Sequence, residues 1–143
     1  MNPQDINEYI SPSTGTGVDI HLFKDGIEYM FDIKTTQSNQ GDFKKLNKQM
    51  LEWYAYRLVK NPDAKLEGRI AIPFNPYKKY WYEEKKSMLL ASPLDVKRDI
   101  WVDNEFWDFC SGHKNTFEDL QSLFIELGKE NFAAEFYDIF YPI

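Results

Sequence analysis

The sequence predicts an α/β fold of the α+β type, with a mixed β-sheet, a β-β-α-β unit and a helical C-terminal part. Three observations support this prediction. Two short apolar segments flank an Asp-Gly pair, a long amphipathic helical pattern follows them, and a further short apolar segment comes after that helix. The helix is therefore a crossover connection between strands, which makes the sheet mixed.

The first element is a β-hairpin over residues 17–35. Its centre is the pair Asp25-Gly26, which suits a type I′ turn because both central residues of that turn need a positive φ. Lys24 then pairs with Ile27, and this register extends along both strands. One face of the hairpin carries an apolar set, which consists of Val18, Ile20, Leu22, Tyr29, Phe31 and Ile33.

The other face of the hairpin carries two acids and a lysine. The register places Asp19 directly opposite Asp32, and Lys34 lies two residues further along the same face. Opposed carboxylates with Cβ atoms about 5 Å apart destabilise a sheet, whereas Mg²⁺ prefers such oxygen ligands. The alternative is a solvated face with scattered charges. The convergence of three polar residues beside a long apolar face favours a metal site, where Lys34 can orient water or stabilise negative charge.

These residues resemble the motif of the PD-(D/E)XK nucleases, in which an Asp precedes Asp-x-Lys by about a dozen residues. The matching residues are Asp19, then Asp32-Ile33-Lys34, although Val18 stands where the eponymous motif has Pro. The resemblance implies a restriction-endonuclease-like core. It also implies that Asp19, Asp32 and the Ile33 carbonyl bind Mg²⁺, with Mn²⁺ tolerated, and that Lys34 assists the attacking water.

The N-terminal segment is short for such a fold. Its core is expected to open with a helix and a first strand, but residues 1–16 offer at most one helical turn, and Glu8 is the only nearby acid. Either the N-terminal part of the fold is missing from this chain or another chain completes it. We favour a fragment of a longer protein.

Polar and basic residues follow the motif. Residues 35–41 form either an ordinary solvated loop or a loop whose side chains bond phosphates or base edges. A helix over residues 42–60 ends at Asn61-Pro62, and its N-terminal dipole favours phosphate, although helical lysines are usually only solvated. The predicted DNA-binding residues are Thr35, Thr36, Gln37, Asn39, Lys44, Lys45, Lys48 and Gln49.

The same helix carries a predicted core stripe made of Phe43, Leu46, Met50, Trp53, Tyr54 and Leu58. The spacing from Gln49 to Trp53 and Tyr54 also resembles the Q-x-x-x-Y signature of RecB-like nucleases. A strand over residues 67–74 completes the β-β-α-β unit. We therefore predict a single nuclease domain over residues 1–143, with a catalytic core over 17–74 and a mostly helical extension over 75–143.

Composition limits the other possibilities. Two histidines and the single Cys110, which is expected to be buried in a reducing cytoplasm, disfavour a structural zinc site. No apolar run is long enough for a membrane span. The net charge of −6 arises in residues 99–143, where two Lys/Arg stand against ten Asp/Glu. Residues 24–98 carry fifteen Lys/Arg against ten Asp/Glu, so nucleic acid is not excluded as a partner.

Residues 17–128 further resemble type II restriction endonucleases of the TdeIII/MjaII group, through the segments K-T-T-Q-S-N, L-E-W-Y-A-Y-R and D-N-E-F-W-D-F-C-S-G-H-K-N-T-F-E-D-L. This implies specific cleavage of double-stranded DNA by a metal-dependent homodimer. The alternative is a non-catalytic nucleic-acid-binding or assembly module on the same scaffold. A small-molecule hydrolase is disfavoured because the sequence has no nucleophile–His–acid constellation.

Overall fold

The computed structural model describes residues 17–34, 40–75, 78–89, 94–130, 134 and 136. Predictions for the N-terminal segment, including Glu8, and for the loop residues Thr35, Thr36, Gln37 and Asn39 lie outside the described residues. The elements are β1 Ile20–Lys24, β2 Ile27–Ile33, α1 Gln40–Lys60, β3 Leu66–Ile72, α2 Lys78–Leu89, α3 Val96–Asp99, β4 Ile100–Val102, α4 Asn104–Ser111 and α5 Thr116–Lys129.

The described strands form one mixed sheet in the order β1-β2-β3-β4. β1 and β2 are antiparallel, whereas β2 pairs in parallel with β3 and β3 with β4. This confirms the predicted α+β fold class and is consistent with a restriction-endonuclease-like fold. The sequence does not predict β4, because a three-residue strand is too short to show a period-two pattern.

The hairpin has the predicted turn and register. Asp25 and Gly26 have φ values of 53° and 75°, and Lys24 pairs with Ile27. The paired ladder ends at Ile20 and Phe31.

Helix α1 covers the face of the sheet that carries the acids. Its side chains Phe43, Met50 and Trp53 share a buried cluster with Met30 of β2 and Ile70 of β3. Because side chains alternate between the faces of a strand, residues two positions from Met30 lie under α1 as well. The β2 half of the acidic face is therefore an interior surface next to the main core, whereas the β1 half of that face stays exposed.

Polar contacts fix α1 to the sheet beside this cluster. The Gly68 N–H donates to the Tyr54 hydroxyl at 2.7 Å. A Cβ at Gly68 would lie 3.1 Å from Tyr54 Cε2 and 3.1 Å from Met50 Cε, so the absence of a side chain permits this close approach. Further along, Arg57 donates to the buried Glu28 carboxylate of β2.

The chain divides into two compact units, Met1–Asp103 and Asn104–Ile143. The sheet lies in the first unit, and α4 and α5 lie in the second, where the Asn104 side chain accepts the Phe117 N–H at 2.9 Å. Cys110 is exposed, so the prediction that it is buried was wrong. Aromatic neighbours in sequence do not fix burial on a short helix. Among the described helices, none has the length and hydropathy needed to cross a bilayer.

The contact between Gly68 and Tyr54 predicts a stability effect. Tyr54→Phe leaves the Gly68 N–H without its acceptor, so the free energy of unfolding should fall by about 1 to 3 kcal/mol. Tyr80→Phe is the matched control, because Tyr80 is exposed. Urea denaturation of both variants measures the difference. An equal free energy of unfolding for Tyr54→Phe and the unsubstituted chain would contradict this account of the contact.

Candidate functional site

The site lies at the edge of the sheet where the parallel strands end. Because β2, β3 and β4 run in the same direction, their carboxyl ends meet at one edge, and β1 begins there because it is antiparallel to β2. Ligand sites in open sheets with parallel strands form at this edge. Asp19 immediately precedes β1, and Asp32 and Ile33 end β2. The Lys34 N–H donates to the Ala71 carbonyl at 2.8 Å, which extends the pairing to β3.

Asp19 is held by backbone contacts outside the ladder. Its N–H donates to the Phe31 carbonyl at 2.9 Å, and its Oδ2 accepts the Ile33 N–H at 2.7 Å. The sequence predicts Asp19 as a strand residue opposite Asp32, but Asp19 lies in a bend just before β1. The reason is that its own carboxylate binds the N–H of Ile33. Asp19 remains exposed, so this carboxylate is accessible from solvent.

Asp32 is a buried carboxylate with a cation beside it. Asp32 is only 4% exposed. Lys34 Nζ lies 2.6 Å from Asp32 Oδ2, and Gln49 Nε2 lies 3.4 Å from Asp32 Oδ1. Burial raises the pKa of Asp32, and the nearby Asp19 charge raises it further. Together they outweigh the lowering effects of Lys34 and Gln49. The structure thus brings together the three residues predicted to be catalytic.

The donor atoms suit a hard divalent cation. Asp32 Oδ2 is buried and receives no directed hydrogen bond although the Lys34 ammonium lies beside it. The part of the chain that the structure describes contains no group of three or more His, Cys, Asp or Glu side chains able to hold a metal. The carboxylates of Asp19 and Asp32 are close enough to interact electrostatically, and metal binding by them and by the Ile33 carbonyl stays a prediction. Mg²⁺ accepts such a sparse set, because it usually keeps several of its waters.

Gln49, which the sequence predicts to bind DNA, also has contacts within the chain. Its Nε2 donates to the Gly17 carbonyl at 3.0 Å and lies within reach of Asp32, so it contacts the candidate site itself. The Q-x-x-x-Y spacing was the signal for this position. Lys44, Lys45 and Lys48 are exposed in the first half of α1, and Lys48 pairs with Glu52 at 3.6 Å. DNA contact by these three lysines stays a prediction.

A second polar cluster under α1 is not predicted by the sequence. Glu28 is 2% exposed, His21 Nε2 lies 2.7 Å from its Oε1, and Arg57 donates to the same oxygen. Burial alone would raise the pKa of Glu28, but hydrogen bonds from Arg57 and His21 hold it below the ordinary value. The hairpin register places His21 and Glu28 on the acidic face, whereas Arg57, distant in sequence, carries no local signal.

The fold is consistent with a restriction-endonuclease-like core, and comparison with known proteins gives the family. Residues 4–128 match the family model of the HinfI type II restriction endonucleases. The chain belongs to this family, which confirms the predicted relationship to type II restriction endonucleases. The matched residues include Asp19, Asp32, Lys34 and Gln49.

A curated relative is the type II restriction enzyme MjaII of Methanocaldococcus jannaschii. It is 25% identical over 114 residues, which cover 75% of this chain and 31% of MjaII. The chain therefore spans about a third of the length of this relative. No solved structure matches the chain.

The raised pKa of Asp32 predicts that its charge lowers stability. Asp32→Asn imitates the protonated acid, so it should raise the midpoint of thermal unfolding at pH 7 in EDTA. The gain should disappear as the pH falls below 3.8, because Asp32 is then protonated in both the folded and unfolded chains. The measurement is a thermal unfolding series over pH. A lower midpoint for Asp32→Asn at pH 7 would contradict the direction of the pKa shift.

Proposed function

We propose that this chain carries the catalytic site of a metal-dependent endonuclease, which hydrolyses phosphodiester bonds of double-stranded DNA at a short specific site as a type II restriction enzyme. The observation that carries the proposal is the convergence of Asp19, Asp32 and Lys34 at one sheet edge, in a chain of the HinfI family. The spacing of these residues supports a PD-(D/E)XK site.

The metal ligands in this proposal are Asp19, Asp32 and the carbonyl of Ile33. The bound ion is Mg²⁺, and Mn²⁺ is tolerated. When bound, the ion supplies a Lewis acid for the phosphoryl oxygen and lowers the pKa of a water. Ionised Asp32 is costly without a cation because it is buried, so a bound cation would offset this cost, and protonation of the carboxylates at low pH would compete with the cation. Metal affinity should accordingly rise with pH.

Lys34 and Gln49 have different roles in this proposal. Lys34 acts on the attacking water or the phosphate, and Gln49 positions the metal ligand Asp32. The Lys34 side chain is one-third exposed and reaches Asp32 from the open edge. Its ammonium can therefore orient the attacking water or neutralise the charge that develops on the phosphate. Gln49 donates to Asp32 and to the Gly17 backbone. It thereby holds the ligand carboxylate against the segment that carries Asp19, which makes it a positioning residue.

The same proposal includes the domain boundaries, the oligomeric state, the cellular location and the DNA contacts of the protein. We propose a single nuclease domain over residues 1–143, with a catalytic core over 17–74 and an extension over 75–143. We also propose a homodimer in the cytoplasm. DNA contacts come from the loop residues after Lys34 and from the lysines of α1. The lysines are supported by their exposure and by their place in the first half of α1.

A non-catalytic nucleic-acid-binding or assembly module is the second candidate. It is supported by the small number of acidic ligands among the described residues. In such a module the ion pair of Lys34 with Asp32 would have no function in catalysis. Cleavage assays separate the two candidates.

Cleavage of unmethylated plasmid DNA with Mg²⁺ tests the proposal. Asp19→Ala and Lys34→Ala should each reduce the rate at least about 100-fold, because each removes a metal ligand or a charge-stabilising donor. Lys65→Ala is the matched control, since Lys65 is exposed just before β3. Cleavage by Lys34→Ala at the rate of the unsubstituted chain would refute its role. DNA binding without cleavage by the unsubstituted chain would favour the non-catalytic module.

A further inference from the structure

A pair of strained residues lies at the same sheet edge as the candidate site. Among the described non-glycine residues, Lys78 and Asp103 are two of four with positive φ, at 62° and 47°. Lys78 Nζ lies 3.5 Å from Asp103 Oδ2. The left-handed region is unfavourable for residues that have a Cβ. It is most unfavourable for residues such as lysine, whose side chain does not form a hydrogen bond with its own backbone. Strain of this kind persists where surrounding contacts impose it, and it is concentrated at functional sites.

Buried contacts impose this geometry. The Asp103 N–H donates to the Ile72 carbonyl at 3.2 Å, and Asp103 Oδ1 accepts the Asn75 N–H at 3.0 Å. The Asn75 side chain donates to the hydroxyl of Tyr82, which is fully buried. These hydrogen bonds hold the backbone after β3 against Asp103, which follows β4, and against Tyr82 of α2.

Two exposed side chains lie on the segment that runs from the end of β3 to the start of α2. Phe74 is 57% exposed although it follows a buried strand, and the Lys78 side chain is 61% exposed although it pairs with Asp103. A rigid backbone reduces the entropy lost when such side chains bind a partner.

The position of these residues relative to Lys34 follows from the pairing. Lys34 N–H donates to the Ala71 carbonyl and Asp103 N–H to the next one, that of Ile72. Lys34 follows β2, Phe74 follows β3 and Asp103 follows β4. The three residues therefore lie at the end of the sheet where these parallel strands finish. All of them belong to the first compact unit.

We propose that Phe74 and Lys78 bind double-stranded DNA beside the candidate catalytic site. The Lys78 ammonium binds a backbone phosphate, and the Phe74 ring packs on the sugar and base edge of a neighbouring nucleotide. The Lys78 side chain is 61% exposed and its Nζ lies 3.5 Å from Asp103 Oδ2, so the ammonium can bind a phosphate on its solvent side while it stays beside Asp103. The inference rests on the proposed function and adds residues that the nuclease motif does not include.

The chain supplies matched control positions at the opposite end of the sheet. Phe23 is 68% exposed, and Lys24, also exposed, precedes the hairpin turn. The seven residues of β2 separate this end from Lys34, a distance of about 20 Å. If DNA binds the edge with the candidate site, Phe23 and Lys24 lie away from it.

The test measures duplex affinity by fluorescence anisotropy, with a labelled mixed-sequence DNA and Ca²⁺ in place of Mg²⁺. Phe74→Ala and Lys78→Gln should each raise Kd about tenfold. Lys78→Gln should also reduce the dependence of binding on salt by about one counterion. Phe23→Ala and Lys24→Gln should leave Kd unchanged. Equal effects at both ends of the sheet, or no effect at Phe74 and Lys78, would overturn the inference.

A glycine variant separates DNA contact from a structural role. Glycine accepts a φ of 62° without strain, which offsets the loss of the ion pair with Asp103, so Lys78→Gly should unfold close to the temperature of the unsubstituted chain. Its affinity for DNA should nevertheless fall as in Lys78→Gln. Unchanged affinity in both Lys78 variants, with cleavage still lost in Lys34→Ala, would refute this inference alone. Failure of the unsubstituted chain to bind any duplex would refute the proposed function as well.

Discussion

The burial of Asp32 is the constraint on which the candidate site depends. A carboxylate at the end of an internal strand is costly when ionised, and the neighbouring Asp19 increases that cost. Helix α1 creates the burial, because its apolar side chains cover the strand face that also carries Met30. The ion pair with Lys34 offsets part of the cost of ionising Asp32. The offset is incomplete, because the pKa of Asp32 remains raised. A site that holds this excess of negative charge gains stability when a cation binds.

The sheet topology explains why these groups meet. The antiparallel hairpin brings the start of β1 to the end of β2, and the parallel pairing brings the ends of β3 and β4 to the same edge. The two acids Asp19 and Asp32, the lysine Lys34 and the pair of Lys78 and Asp103 therefore share one edge, although they come from separate parts of the chain.

Sequence reasoning was most successful where local chemistry determines structure. The turn at Asp25-Gly26 fixes the register of the hairpin, and the alternation of side chains along a strand places Asp32 and Lys34 on one face. It was less successful where tertiary contacts decide. The bend at Asp19 depends on its bond to the Ile33 N–H, the burial of Glu28 depends on Arg57, and the short strand β4 exists only through its pairing with β3. None of these contacts leaves a periodic pattern in the sequence.

The central claim is that Asp19 and Asp32 form a cation site. Isothermal titration of Mg²⁺ into the chain at neutral pH tests it most directly, with Asp32→Ala as the test variant and Asp63→Ala, an exposed carboxylate after α1, as the control. We expect binding by the unsubstituted chain and by Asp63→Ala, and no binding by Asp32→Ala. Mg²⁺ binding by Asp32→Ala as tight as that of the unsubstituted chain would contradict the claim, as would the absence of binding by the unsubstituted chain.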